Sequence, residues 1–104
     1  MTGMSAEMRN AVSEFEELLE SDRITAGMYV RARGDSLIAG RWDTSSPDKA
    51  PQADDRVRLT RLGRSAWGLS VKRHTGRWER TPFSGTLVEM VEVMHTLMQH
   101  LVAS

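Results

Sequence analysis

M-Y-V-R-A-R-G-D-S-L-I-A-G-R-W, residues 28–42, is the stretch that decides how this chain folds. Met28, Val30 and Ala32 alternate with Tyr29, Arg31 and Arg33, the period-two pattern of a half-buried strand. Gly34-Asp35 suits a two-residue hairpin turn, because glycine accepts the positive φ that its first position needs. Leu37 to Trp42 reads as the returning strand. A turn of this length sets Ala32 opposite Leu37 and Val30 opposite Ala39 on one face of the sheet. Tyr29, Arg31, Arg33 and Ile38 then share the other face, since a strand sends successive side chains to opposite sides.

The same alternation continues downstream. The polar stretch from Asp43 to Asp54, with Pro47 and Pro51 inside it, reads as a flexible loop. Val57 and Leu59 then alternate with Arg56, Arg58 and Thr60, which places those two arginines beside Arg31 and Arg33. A turn near Gly63 leads to a strand around Trp67, Leu69 and Val71. Thr75-Gly76 makes another turn, and Arg77 to Thr81 is a last short strand ended by Pro82. Closely spaced turns between short strands predict an antiparallel meander of five strands rather than parallel βαβ units. The face of Trp67 stays open: an even loop near Gly63 puts it opposite Thr60, an odd one opposite Leu59 in the core. The face of Trp78 is open as well.

Helices flank the strands. Met4, Met8, Ala11, Val12, Phe15, Leu18 and Leu19 recur at helical spacing behind Ser5, a suitable N-cap, and the helix should fade near Ser21. Thr86 with Glu89 has the capping-box pattern, and Leu87, Met90, Val91, Met94, Leu97, Met98 and Leu101 form an apolar stripe running to Val102. The expected fold is α+β: an N-terminal helix, a five-stranded antiparallel meander and a C-terminal helix, both helices on one sheet face. The expected core is Met8, Val12, Phe15, Leu19, Val30, Leu37, Val57, Leu59, Leu69, Val71, Leu87, Met90, Val91, Met94 and Leu101.

With 104 residues, the chain has the size of a single domain spanning its whole length. It has no cysteine, which excludes disulfides, thiolate metal sites and cysteine nucleophiles. Met1 to Ser21 has no apolar run of signal-peptide length, and no segment is apolar for long enough to span a bilayer. A cytoplasmic protein with no membrane partner is the expectation. The 14 basic and 14 acidic residues cancel, but their layout is polarised. Glu7, Glu14, Glu16, Glu17, Glu20 and Asp22 crowd residues 7–22, against Arg9 alone. Arg56, Arg58, Arg61, Arg64, Lys72, Arg73, Arg77 and Arg80 crowd the stretch 56–80, against Glu79 alone. Such asymmetry points to a nucleic acid or an acidic partner. Only Lys49 and Lys72 among the basic residues are lysine, and arginine is the better fork for phosphate and carboxylate.

Catalytic and metal signatures are missing, and neither cofactor nor metal site is expected. His95 and His100 are five apart and face different sides of a helix. Glu92 and His95 form a Glu-x-x-His pair, but a di-iron site needs carboxylates from other helices; Glu92, His95 and Gln99 read instead as a solvated polar stripe. Asp54 and Asp55 are adjacent, so an extended chain points them apart and they cannot share a proton. Ser84 lies in no nucleophile elbow, and there is no glycine-rich phosphate loop. Arg33-Gly34-Asp35-Ser36 spells a cell-adhesion tetrapeptide, but the hairpin turn is reason enough for it.

The expected function is a small non-enzymatic binding module. Its basic sheet face, carried by Tyr29, Arg31, Arg33, Arg56, Arg58, Lys72 and Arg77, would engage an acidic protein or single-stranded nucleic acid. Arginine neutralises phosphate and aromatic faces stack on unpaired bases. The girth of the last helix suggests a homodimer, with Met90, Val93, Met94, Leu97, Met98 and Leu101 at the interface. Antiparallel strands followed by one long amphipathic helix, over Arg56 to Val102, resemble the single-stranded-DNA-binding fold of the PC4 transcriptional coactivator group. That resemblance of layout implies dimerising helices and a basic sheet that binds the strand; the helix before residue 28 departs from it.

Overall fold

The computed structural model describes residues 5–103; Met4 of the first apolar stripe lies outside them. The elements are α1 (Ala6–Glu20), β1 (Tyr29–Arg33), β2 (Ser36–Asp43), β3 (Gln52–Arg61), β4 (Trp67–Lys72), β5 (Trp78–Gly85), α2 (Leu87–Leu97) and α3 (Gln99–Val102). The strands form one antiparallel sheet in meander order, β1-β2-β3-β4-β5. The helices pack against it, α1 on β1 and α2, α2 on β4 and β5, and α3 on β3.

Local chemistry starts each helix where the sequence places it. Ser5 Oγ accepts from the Met8 amide at 3.1 Å, satisfying one of the free donors of the first turn. At α2 the capping box closes both ways: Glu89 N donates to Thr86 Oγ1 at 3.1 Å and Thr86 N to Glu89 Oε1 at 2.9 Å. Met8, Ala11, Phe15 and Leu19 of α1 and Leu87, Met90, Val91 and Met94 of α2 meet Leu37, Ala39, Val57, Leu59, Trp67, Leu69 and Val71 of the sheet in one core. Each large apolar side chain buried there contributes about 1.5–3 kcal/mol. Val12, Val30 and Leu101, expected in the core, are only partly buried at its margin.

The first hairpin has the expected register: Ala32 faces Leu37 and Val30 faces Ala39 across a turn with Gly34 at φ +61°. The next pair of strands does not keep it. A bulge after Ala39 sets Ala39 opposite Val57 but Gly40 opposite Asp55, so Arg56 is the extra residue. Beyond the bulge the ladder continues to Asp43 opposite Gln52. The connection is therefore 44–51, shorter than the 43–54 loop expected from composition. Polar residues on a solvent-bathed ribbon carry no hydrophobic alternation, yet their backbones still pair.

Glycine is required at position 40. A Cβ there would collide with the Asp54 carbonyl oxygen and the Tyr29 hydroxyl, because the Tyr29 ring crosses this point. A second irregularity lets β5 run through Pro82, where the sequence suggests an end. Gly68 pairs with Ser84 and Ser70 with Arg80, so 81–83 bulge opposite Leu69. Pro82 lacks an amide proton, and an edge-strand bulge leaves that harmless. Thr81 Oγ1 bridges the gap, donating to Leu69 O at 2.9 Å and accepting from Phe83 N at 3.2 Å.

The C-terminal helix is broken. Met98 leaves the helical region at φ −127°, ψ 26°, and α3 turns inward so that Val102 is fully buried. Two arginines hold the turned end. Arg56 Nη1 donates to Leu101 O at 2.9 Å and Arg41 Nε to Val102 O at 2.9 Å. Arg41 also donates from Nη1 to Ala26 O at 2.6 Å and from Nη2 to Ile24 O at 2.8 Å. One guanidinium thus ties β2, the α1–β1 connection and α3 together. The burial this requires lowers the Arg41 pKa from its ordinary value, and Arg56 nearby lowers it further.

The α1–β1 connection has a second tie. Thr25 is fully buried, and its hydroxyl donates to Leu19 O at 2.6 Å. That hydroxyl has one proton, so the His95 Nε2 lying 2.9 Å away acts as donor to it. His95 Nδ1 stands 3.8 Å from Asp22 Oδ2. Among the described residues no helix is long and apolar enough to cross a membrane.

Candidate functional site

One sheet face lies under the helices and the other is open. Ladder partners in an antiparallel sheet share a face, so the registers assign the paired side chains of the open one. One row across it runs Arg33, Ser36, Thr60, Gly68, Ser84; the next runs Arg31, Ile38, Arg58, Ser70, Arg80. A third holds Tyr29, Gly40 and Asp55, and at its far side Lys72 pairs with Trp78. Arginines from β1, β3 and β5 stand on alternate strands, separated by Ile38 and Ser70. Ile38 is only 2% exposed although no helix covers it. Its row neighbours are Arg31 and Arg58, whose aliphatic stems shield apolar surface while their charged heads reach water.

Of the basic-face residues expected from sequence, Tyr29, Arg31, Arg33, Arg58 and Lys72 lie on this face, and Arg56 and Arg77 do not. The bulge after Ala39 carries Arg56 to the helix side, where it holds Asp54 Oδ2 at 2.9 Å and Leu101 O. Arg77 lies in the β4–β5 turn, its carbonyl accepting from Arg73 N at 2.8 Å. In place of Arg56 the bulge presents Asp55. This carboxylate accepts from the Tyr29 hydroxyl and from Arg31 Nη2 at 2.6 Å. Burial alone would raise the Asp55 pKa, but the hydrogen bonds from Arg31 and Tyr29 outweigh it and hold the carboxyl below its ordinary value. Burial, reinforced by the bond to Asp55, pushes the Tyr29 phenol well above its ordinary value.

Arg31 is thereby committed, and the available cations are Arg33, Arg58, Lys72 and Arg80. Arg58 donates from Nε to Ser36 Oγ at 3.1 Å, which fixes the root of the guanidinium. Lys72 Nζ sits 5.9 Å from the centre of the Trp78 ring, a cation–π distance. At the other side of the sheet the exposed Trp42 tilts against Tyr29, their ring centres 5.1 Å apart. The open question about the tryptophans closes both ways. The five residues 62–66 form an odd loop that sends Trp67 into the core, opposite Arg61. Trp78 joins the open face. Sequence reasoning passed over Arg80, Trp78 and Asp55 as site residues; the parity of the 73–77 turn was the available signal for the first two.

The residues expected at a dimer interface are largely used within the chain. Met90, Met94 and Met98 are buried in the core, Val93 and Leu101 pack partly against it, and only Leu97 is well exposed. A two-sided environment of sheet and α1 absorbs the girth that suggested a second copy. The polar stripe is also divided: Glu92 and Gln99 are exposed, while His95 turns to Thr25 and Asp22. Asp22, His95 and Thr25 are in line, but the hydroxyl is buried and its proton is engaged, so the line is a joint rather than a nucleophile. Among the described residues no three His, Asp or Glu side chains gather as a metal site would need.

No protein-family description, curated protein or solved structure matches the chain. Of the sheet, the segment whose layout resembles the PC4 group supplies only β4, β5 and most of β3, so β1 and β2 with their half of the open face stand outside that resemblance.

Proposed function

We propose that this chain is a non-enzymatic binding module whose open sheet face holds a polyanionic partner, single-stranded nucleic acid. The observation that supports it is the composition of that face: Arg33, Arg58, Lys72 and Arg80 are set on a pleated floor beside Tyr29, Trp42 and Trp78, with Asp55 as the one acid and already matched to Arg31. Fixed cations neutralise phosphates, and exposed rings offer platforms for unpaired bases. The acidic residues of α1 lie in the opposite layer, so a polyanion approaching the sheet is attracted and one approaching the helices is repelled.

Fluorescence anisotropy with a labelled oligothymidylate tests the reading. Four available cations should give a slope of log K against log salt of roughly −3, at about 0.7 per neutralised phosphate. Polyglutamate of similar charge should bind more weakly, having no ring to stack. Equal binding of polyglutamate would favour an acidic protein partner instead, and no retention of either polymer at low salt would defeat the proposal.

A further inference from the structure

Resting on that reading, we infer that the strand is seated in the trough over β4, where Gly68 and Ser70 form the floor and select a single strand over a duplex. On the open face β4 contributes Gly68, then Ser70, then Lys72. Arg58 and Arg80 stand on either side of Ser70, and Thr60 and Ser84 on either side of Gly68. The small residues leave a depression of about 350 Å³, bordered by Arg58, Thr60, Leu62, Trp78 and Arg80.

The dimensions choose the occupant. β3 and β5 are two strand spacings apart, about 10 Å, and this sets the width from one arginine root to the other. An α-helix with its side chains measures about 10–12 Å across and rides on the rims instead of reaching the floor. A duplex is broader still. An extended strand enters, with Arg58 and Arg80 lining its two sides. The Arg80 side chain is exposed and makes no hydrogen bond or ion pair among the described residues, and the Arg58 side chain is held only through Nε. Two residues further along β4, about 7 Å away, Lys72 and Trp78 pair across the ladder. The order along the trough is therefore a phosphate clamp followed by a ring that takes a base. Leu62, half exposed, closes the other end, and a Cβ at Gly68 would touch its Cδ1 at 3.2 Å.

Arg80→Ala, Ser70→Leu, Trp78→Phe and, on the far strand, Arg33→Ala separate this trough from the face in general. Oligothymidylate binding should fall roughly five- to tenfold in Arg80→Ala, with a salt slope shallower by about 0.7–1. Ser70→Leu should weaken the single strand by a similar factor while leaving the weak binding of a duplex of equal length unchanged. Tryptophan emission should be quenched on binding in the wild type and in Trp42→Phe, and lose that quenching in Trp78→Phe; this readout stands even if Ser70→Leu folds poorly. If the wild type binds but Arg33→Ala falls as far as Arg80→Ala, with Ser70→Leu silent and Trp78 unquenched, the trough is refuted and the face is not. If single strand and duplex bind equally in every variant, the selectivity is refuted. Wild type that binds no oligonucleotide at low salt refutes both this inference and the function it rests on.

Discussion

Replacing Arg41 with methionine keeps most of the apolar stem and removes the guanidinium that joins three segments. Its three donors reach Ile24 O, Ala26 O and Val102 O at 2.8, 2.6 and 2.9 Å. A hydrogen bond to a charged group contributes about 1.5–3 kcal/mol net. Three at the low end give about 4.5 kcal/mol, from which immobilising an arginine side chain subtracts up to about 2 kcal/mol. The carbonyls left behind are partly open to water, so a loss of about 2–4 kcal/mol is expected. For a domain of this length that is a fall in Tm of about 10–25 °C. Arg41→Lys should recover less than half of the loss, since a point ammonium cannot span three carbonyls. Urea unfolding measures the change, and amide exchange locates it. Protection should drop at residues 22–28 and 99–102 while the β3–β4 ladder holds. A change below about 0.5 kcal/mol, or a uniform loss of protection over the sheet, would show that Arg41 is not a clamp.

Tyr29 and Asp55 predict opposite ends of the pH–stability curve. The Asp55 pKa is depressed in the fold, so its contribution is present above the unfolded value of about 4 and disappears as acid titrates the folded carboxyl. Asp55→Asn should flatten the acid limb of a urea-midpoint profile; an unchanged limb would count against the pairing. The Tyr29 pKa is raised, so its contribution is complete below about pH 10 and lost as pH rises through the folded value. Tyr29→Phe should remove part of the alkaline fall, and a profile identical to wild type above pH ~10 would contradict this. Met94 is fully buried, and Met94→Glu puts a carboxylate into the core without a partner. Its expected result is an unfolded chain by circular dichroism, costing more than about 3 kcal/mol; a folded monomer derived from a wild-type dimer would instead place Met94 at an interface.

Most of the architecture is local and was legible. Period-two alternation, a glycine-first turn and a capping box each act within a few residues, and they suffice for the element order, the first hairpin register and the start of both long helices. The arginine face was legible only as far as the register could be carried. Alternation assumes an unbroken ladder, and one inserted residue after Ala39 exchanges Arg56 for Asp55 on the open face. The proline in β5 reads as an end because its missing donor is local, while the bulge that accommodates it depends on the partner strand.

By itself, then, the sequence determined an α+β meander with a helical layer, and an acid–base polarity between residues 7–22 and 56–80. Those properties follow from backbone preference and apolar spacing, which need no knowledge of distant residues. Tertiary structure alone decided which arginines face outward, that Arg41 and Arg56 hold the turned C-terminal helix, that Trp78 borders a trough, and that Met90, Met94 and Met98 belong to the core. Each of these depends on bulges, loop parity and the docking of α1, where residues far apart in the chain compete for the same face.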